Sequence, residues 1–286
     1  MTFPARVAVT GGNGRLGRYV VREIRPHAEV TVVDVAGSAP DQLRQISANT
    51  LDEVALTEAF TDQQAVLHLA AIPNPRTAPP EVTFRTNVEG TWHVLRAAQR
   101  AGVRRVVLAS SDSVLGLHFN PPGWRPQYLP VDEHHPVRPT EVYSLSKLLA
   151  EDVGRSFADS GELEVIALRP THIVFPPEWP ELEDRGRDVK NYHLWAYVRP
   201  EDVAQAFRLA LAAPAGPFRS YVISAPDTLC AEPTLDMVRR RWGAVPEVRD
   251  PAVYEANPYA SLLGIAAART DLGYAPEEKW SRLTWR

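Results

Sequence analysis

Thr10-Gly11-Gly12-Asn13-Gly14-Arg15-Leu16-Gly17 follows the apolar run Arg6-Val7-Ala8-Val9 and precedes Tyr19, Val20, Val21 and Ile24. The run predicts a buried strand over 6–10, and the spacing of Leu16 to Ile24 predicts an amphipathic helix over 15–25. Between them the glycines predict a tight turn. Such a turn needs positive φ and a backbone that other groups can approach closely. The helix behind it offers unpaired N–H groups and a positive dipole end, which suits a pyrophosphate. The candidate contacts are Gly11, Asn13, Gly14, Arg15, Leu16 and Gly17. Asp34 closes a second apolar run, 29–34, about 20 residues on, where a carboxylate accepts hydrogen bonds from adenosine ribose hydroxyls. A carboxylate there repels a 2′-phosphate, so the expected cofactor is NAD rather than NADP.

Working outward, residues 65–70, 104–110 and 164–169 repeat the pattern of short apolar runs. Helices are predicted over 52–61, over 80–101 closed by Gly102, and over 140–160, capped by Thr140 and closed by Gly161. Strands that are continuously apolar and alternate with helices predict an α/β fold, a doubly wound parallel sheet covered on both faces. After Pro170 the alternation loosens, with helices expected at 200–213 and 234–242 and a strand at 218–224. The expected organisation is a dinucleotide-binding domain over 1–170 and a smaller, discontinuous substrate lobe over 171–286.

The composition excludes several classes. Of 286 residues, 44% are hydrophobic and 23% charged, and the net charge is −4. A mildly acidic chain with scattered basic residues predicts no nucleic-acid partner. Arg239-Arg240-Arg241 is expected to end a helix. No apolar stretch approaches a membrane span or a signal peptide, and the single cysteine, Cys230, permits no intrachain disulfide. The expected location is the cytoplasm.

Tyr143 and Lys147 stand four residues apart and share a helix face. A free phenol, with a pKa near 10, is a poor base at neutral pH. A neighbouring ammonium favours the phenolate, and a lysine there can also hold the nicotinamide ribose. Ser111 lies just past the run 104–110, at the carboxyl edge where ligands bind in open α/β sheets. Its hydroxyl can polarise a substrate oxygen. Ser111, Tyr143 and Lys147 are the candidate catalytic set.

Together these residues resemble the extended short-chain dehydrogenase/reductase family, the NAD-dependent epimerase/dehydratase group, with some similarity to uronate dehydrogenases. TGGNGRLG resembles the family's TGxxGxxG, and Tyr143-Ser144-Leu145-Ser146-Lys147 its YxxxK. Asn49-Thr50-Leu51-Asp52 stands where the family contacts adenine, and Leu69-Ala70-Ala71 matches the strand end lining the cofactor. Asn87 to Thr91 matches the helix whose Asn supports the active site, and Ala268 to Pro276 a C-terminal LGxxP element. The resemblance implies a Rossmann fold, hydride transfer between a substrate carbon and nicotinamide, and Asn49, Thr50, Leu69, Ala70, Ala71 and Asn87 as further cofactor-side residues. It also implies a homodimer through helices 80–101 and 140–160. His172 stands where sugar-nucleotide epimerases carry an Asn, and Ser113 where dehydratases carry a Glu after Asp112. Arg185, Arg187 and Lys190 are candidates for a substrate carboxylate.

Other polar and aromatic residues suggest less. His134-His135 beside Asp132 and Glu133 reads as a solvated loop, and no metal site is expected. His68 reads as a core or cofactor-side residue. Trp124, Trp179 and Trp195 could line a pocket or pack the smaller lobe. The expected activity is NAD-dependent oxidation or reduction at a hydroxyl or carbonyl carbon of a sugar-like small molecule. The alternatives are an NDP-sugar 4-epimerase and a non-catalytic dinucleotide sensor.

Overall fold

Five apolar runs become five parallel strands that carry the rest of the chain. The structure is a computed structural model that describes residues 3–38, 43–118, 123–214 and 216–277. In chain order the strands are β1 (Arg6–Thr10), β2 (Glu29–Val33), β3 (Arg44–Ile46), β4 (Ala65–His68), β5 (Arg105–Ala109), β6 (Tyr128–Leu129), β7 (Glu164–Pro170), β8 (Arg219–Ile223) and β9 (Glu247–Val248). The helices are α1 (Arg15–Ile24), α2 (Glu53–Ala59), α3 (Pro80–Phe84), α4 (Gly90–Arg100), α5 (Val142–Asp159), α6 (Leu182–Arg187), α7 (Pro200–Ala212), α8 (Thr234–Trp242) and α9 (Pro251–Ala256). Seven strands form one sheet in the order β3-β2-β1-β4-β5-β7-β8, with parallel ladders from β3 through to β7. This is the expected α/β parallel sheet with flanking helices. Among the described residues no helix is long and apolar enough to cross a membrane.

The chain winds from β1 outward to β3, then returns to place β4 on the other side of β1. That reversal puts a crevice at the carboxyl ends of β1 and β4, the position where open α/β sheets bind ligands. The glycine turn leaves β1 there, and Leu69 to Ala71 leave β4.

The chain forms two compact units. The first comprises residues 1–111, 141–168 and 204–220, and the second residues 112–140, 169–203 and 221–286. The core of the first unit is one apolar cluster that includes Leu56, Phe60, Val66, Leu95 and Val106, all fully buried. Each such side chain contributes about 1.5–3 kcal/mol of burial free energy. In the second unit β6 pairs with β9 in a small parallel ladder. Trp195 is fully buried there, and its indole N–H donates to the Asp188 carbonyl at 2.9 Å.

Four expectations are corrected. The helix predicted over 80–101 is interrupted by a π-helical turn at Arg85–Glu89. Asn87 lies in that turn and its amide is fully engaged: Oδ1 accepts from Ile72 N at 2.8 Å, and Nδ2 donates to Ile72 O at 3.1 Å and Ser146 Oγ at 2.9 Å. The wide turn is the backbone's accommodation to these bonds, a common device at functional positions. Glu141, not Thr140, caps α5: its carboxylate accepts from the backbone N–H groups of Tyr143 and Ser144, both at 2.6 Å. A carboxylate at a helix start also meets the positive dipole end. His135 is buried rather than solvated, because Nε2 accepts from Gln127 N at 3.1 Å and Nδ1 lies 3.0 Å from Pro136 O. Asp34 follows β2 instead of ending it. Further elements depart from the expected set: β3, a polar edge strand, the short strands β6 and β9, the helices α6 and α9, and a π-helical turn at Ala268–Leu272. Of the Pro-rich loop 117–139, residues 119–122 lie outside the described residues.

Candidate functional site

The glycine turn is shaped by contacts that no side chain could share. Gly11 has φ +70°, and its N–H donates to Val33 O at 2.9 Å. A Cβ on Gly11 would stand 2.7 Å from Ala70 N, and one on Gly17 only 2.1 Å from Gly11 O. Gly14 N–H donates to Gly11 O at 3.0 Å, closing the turn. As N-cap of α1, Gly14 contributes no side-chain hydrogen bond, so the first-turn N–H groups above Arg15 and Leu16 have no cap from that residue.

Asp34 stands beside this turn. Its Oδ2 accepts from Asn13 N at 3.0 Å and its Oδ1 from Ala36 N at 3.3 Å, while Asn13 Nδ2 donates to Ala36 O at 2.7 Å. Asn49 is turned to its own loop, with Oδ1 accepting from Leu51 N at 2.9 Å. Thr50 is buried against Gly90, and Asp52 caps α2 by accepting from Ala55 N. Leu69 N donates to Thr10 O at 3.1 Å, which holds the β4 exit against β1.

Lys147 is buried on α5, and its ammonium donates to Ala109 O, the last residue of β5, at 2.8 Å. It lies 5.9 Å from the centroid of the Tyr143 ring. Ser111 is buried two residues past β5. Burial lowers the Lys147 pKa to about 8, opposed by the carboxylate of Glu151. At neutral pH the group is still mostly the ammonium that a phenolate needs.

Pattern reading missed two residues of this cluster. Glu151 is buried one turn beyond Lys147 and accepts a short hydrogen bond from Ser110 Oγ. Ser146 Oγ links Asn87 to the Tyr143 carbonyl, donating to the latter at 2.7 Å. The signal available for Glu151 was spacing: Tyr143, Lys147 and Glu151 recur every four residues. Ala70, Ala71, Asn87, Lys147 and Glu151 line one small cavity with His68, with room for about one water.

His68 bridges two hydroxyls, with Nδ1 2.7 Å from Thr10 Oγ1 and Nε2 3.1 Å from Thr91 Oγ1. Burial, then the Lys147 charge, lowers its pKa to about 3. In the unfolded chain it takes up a proton near pH 6.5. The unfolded state therefore binds more protons below pH 6.5, and stability falls with pH between 6.5 and 3. The expected loss from pH 7 to pH 4 is about 3 kcal/mol from this group. His68→Gln should flatten that part of the slope in urea unfolding measured across the range; an unchanged slope would count against the assignment.

In the second unit, the rings of His172 and His193 stack at 3.9 Å, and that of His118 stands 5.4 Å from His193. Of the three carboxylate candidates, Arg185 donates to Glu181 and lies within bonding distance of His172 and Glu178. Arg187 pairs with Glu183, and Lys190 is exposed. Among the described residues, no group of three or more His, Cys, Asp or Glu could hold a metal ion.

A parallel sheet with a glycine turn at its reversal point, and a tyrosine and lysine on the helix leading into β7, defines the extended short-chain dehydrogenase/reductase class. Residues 7–224 match the model of the NAD dependent epimerase/dehydratase family, and the chain belongs to that family. It is 34% identical over 230 residues to L-arabinose 1-dehydrogenase (NAD(P)(+)) of Haloferax volcanii, covering 78% of this chain and 89% of that one. It is 30% identical over 168 residues to uronate dehydrogenase of Pseudomonas syringae pv. tomato, covering 57% and 58%. A short-chain dehydrogenase/reductase superfamily protein from Agrobacterium tumefaciens, solved with bound NAD, superposes with a TM-score of 0.72 at 27% identity, covering 97% of this chain and 94% of that one.

Proposed function

We propose that this protein is an NAD-dependent dehydrogenase that oxidises a hydroxyl carbon, or reduces the matching carbonyl, of a sugar-like small molecule. The observation that carries this is the buried ammonium of Lys147, anchored on the end of β5 and within 5.9 Å of the Tyr143 ring. The names of the arabinose and uronate relatives support a sugar as substrate.

The residues fit NAD. Gly11, Asn13, Gly14, Arg15, Leu16 and Gly17 would hold the pyrophosphate at the α1 N-terminus, where the Cβ contacts at Gly11 and Gly17 exclude any larger residue. Asp34, Asn49 and Thr50 would face the adenosine, and Leu69, Ala70, Ala71, Asn87, Tyr143 and Lys147 the nicotinamide end. When bound, nicotinamide accepts or returns a hydride. The chain's own part is proton transfer and orientation. Ser111 holds the substrate oxygen and Tyr143 takes up or returns its proton. Lys147 favours the phenolate and holds the ribose. Asn87 acts as support, through Ser146 and the Tyr143 carbonyl. Residues 1–170 would serve the dinucleotide and 171–286 the substrate.

The test is NADH formation with free sugars, compared with interconversion of UDP-sugars. Net NADH supports the dehydrogenase, whereas epimerisation without net reduction would replace it with the 4-epimerase. Asp34→Ala should weaken NAD binding by about tenfold and narrow the preference over NADP, measured as Kd for each; unchanged preference would remove Asp34 from the site.

We also propose a homodimer through 80–101 and 140–160 and a cytoplasmic location. Val82, Phe84, Trp92 and Leu145 are exposed apolar residues on those segments, and Cys230 is free and buried. Phe84→Glu should turn the dimer into monomer in size-exclusion chromatography with light scattering. A monomeric parent protein would refute the dimer.

A further inference from the structure

A buried carboxylate lies one helical turn beyond Lys147. Glu151 is 1% exposed and Lys147 7%. Residues four apart on a helix are neighbours on one face. That face of α5 also buries Ala150, Gly154 and Phe157. An aliphatic side chain at 151 would serve packing as well as a carboxylate does. A buried ion pair is weak evidence of stabilisation, because taking both charges out of water costs about what their attraction returns. Its presence beside a candidate catalytic residue points to a use for the charge.

Both charges are held from the same strand end. Ser110 Oγ donates to Glu151 Oε1 in a short hydrogen bond, and Ser110 N donates to Leu168 O of β7 at 2.7 Å. The Lys147 ammonium donates to the carbonyl of the preceding residue, Ala109, at 2.8 Å. Lys147 and Glu151 line one small cavity with His68 and Asn87. All of these residues belong to the first unit.

Other charges on the surrounding elements are neutralised or turned outward. His68 of β4 is uncharged at neutral pH, since burial and then the Lys147 charge lower its pKa to about 3. Arg105 of β5 pairs with Glu164 of β7. In the π-helical turn Arg85 pairs with Glu89, and His93, Arg96 and Arg100 of α4 reach Glu53 of α2. Glu81 of α3 is exposed, as are Asp152, Arg155 and Asp159 of α5, and Glu141 caps the start of α5. Tyr143 is a further titratable neighbour, its ring centroid 5.9 Å from the Lys147 ammonium. Burial lowers the Lys147 pKa to about 8, and among the described residues the charge that opposes burial is Glu151.

We propose that Glu151 is a positioning residue: from one turn away its carboxylate keeps Lys147 an ammonium inside a buried site, and so sets the alkaline limit of proton transfer at Tyr143. This rests on the dehydrogenase reading and assigns that site its working pH range. Without the carboxylate, burial acts on Lys147 unopposed and the ammonium is lost at lower pH. A neutral amine no longer favours the phenolate. The rate should therefore fall from neutral pH upward and be spared at lower pH.

The chain has three lysines, Lys147, Lys190 and Lys279, so lysine isotopically labelled at Cε gives a readable NMR spectrum in which Lys147→Met assigns the Lys147 signal. The full chain and Glu151→Gln are titrated side by side. Glutamine keeps the shape and the acceptor for Ser110 but deletes the charge. The Lys147 signal of the parent should titrate near pH 8. In Glu151→Gln its midpoint is expected at about pH 7 or below, with the Lys190 and Lys279 signals unmoved. In sugar oxidation with NAD, Glu151→Gln should lose about five- to tenfold in kcat above pH 8 but less than about twofold near pH 6. Glu151→Asp, which keeps the charge, should restore most of the alkaline rate. Glu151→Met, uncharged and close in volume, carries the same prediction if Glu151→Gln does not fold. An unchanged Lys147 midpoint overturns the proposal and leaves Glu151 a structural partner of Ser110. So does a lowered midpoint with an unmoved alkaline limb. If no sugar yields NADH with the parent, the dehydrogenase reading fails and the role in proton transfer falls with it; the titration needs no turnover and shows which of the two has failed.

Discussion

Tyr143→Phe is expected to lower turnover by about 1,000-fold while leaving NAD affinity and Tm close to those of the parent. The change removes one hydroxyl and its proton. It keeps the ring that lies 5.9 Å from the Lys147 ammonium. It also keeps the backbone bonds of the residue, since Glu141 accepts from Tyr143 N and Ser146 donates to Tyr143 O. The helix cap and the Asn87–Ser146 link therefore survive, and a loss of rate can be assigned to proton transfer. The pH profile should change as well. Above about pH 8 Lys147 loses its charge, and with it the field that favours the phenolate. The parent rate should fall there, whereas the residual rate of the Phe variant should not follow the same limb. Unchanged turnover in the variant would mean that another group moves the proton, or that the chain is a dinucleotide sensor.

Gly17→Ala should abolish NAD binding or leave little folded protein. A Cβ at Gly17 would stand 2.1 Å from Gly11 O and 2.8 Å from Gly12 Cα. Both are backbone atoms of the turn, so no side chain can swing aside. Gly17 lies in α1, where alanine would be favoured by about 1 kcal/mol on helix propensity alone. The clash opposes that gain, and overpacking of this severity costs about 3 kcal/mol or more. Relief can come only by opening the turn, which is the proposed pyrophosphate cradle. The useful comparison is Gly102→Ala, where φ is +74° but nothing lies within 4 Å of the new Cβ. Only local backbone strain of about 1 kcal/mol is expected there, with NAD binding intact. Calorimetric titration with NAD and thermal melts of the two variants separate the cases. A Gly17→Ala protein with parental Tm and affinity would show that the close approach is not a constraint.

The strands of the sheet were legible because burial on both faces demands apolar runs, and those runs are short and bounded. β3 escaped because Arg44-Gln45-Ile46 is an edge strand whose side chains are largely exposed, so its pairing depends on backbone rather than on pattern. The break in the helix at Arg85–Glu89 escaped for a related reason. Its cause is a contact between Asn87 and Ile72, fifteen residues apart in the chain, and no local periodicity encodes it. The α5 cap was misplaced by one residue because threonine is the commoner cap, while Glu141 reaches two backbone N–H groups with its longer side chain.

The candidate site was read to a similar depth. Gly11, Gly17, Tyr143 and Lys147 carry recognisable spacing, whereas Asn87 is legible only through the family resemblance. Glu151 and Ser146 escaped, because their importance comes from what lies across from them: Ser110 in one case, Asn87 and the Tyr143 carbonyl in the other. The histidine cluster of the second unit draws on segments around 118, 172 and 193. Only the folded chain brings those rings together.

The most direct measurement is to follow the label from a sugar deuterated on its carbon skeleton into the nicotinamide, by mass spectrometry of the recovered cofactor. NADH carrying one deuterium for each sugar oxidised is expected, formed by the parent protein and nearly absent with Tyr143→Phe. Unlabelled cofactor recovered after sugar turnover, or deuterium that only exchanges between epimers of a sugar nucleotide, would contradict it.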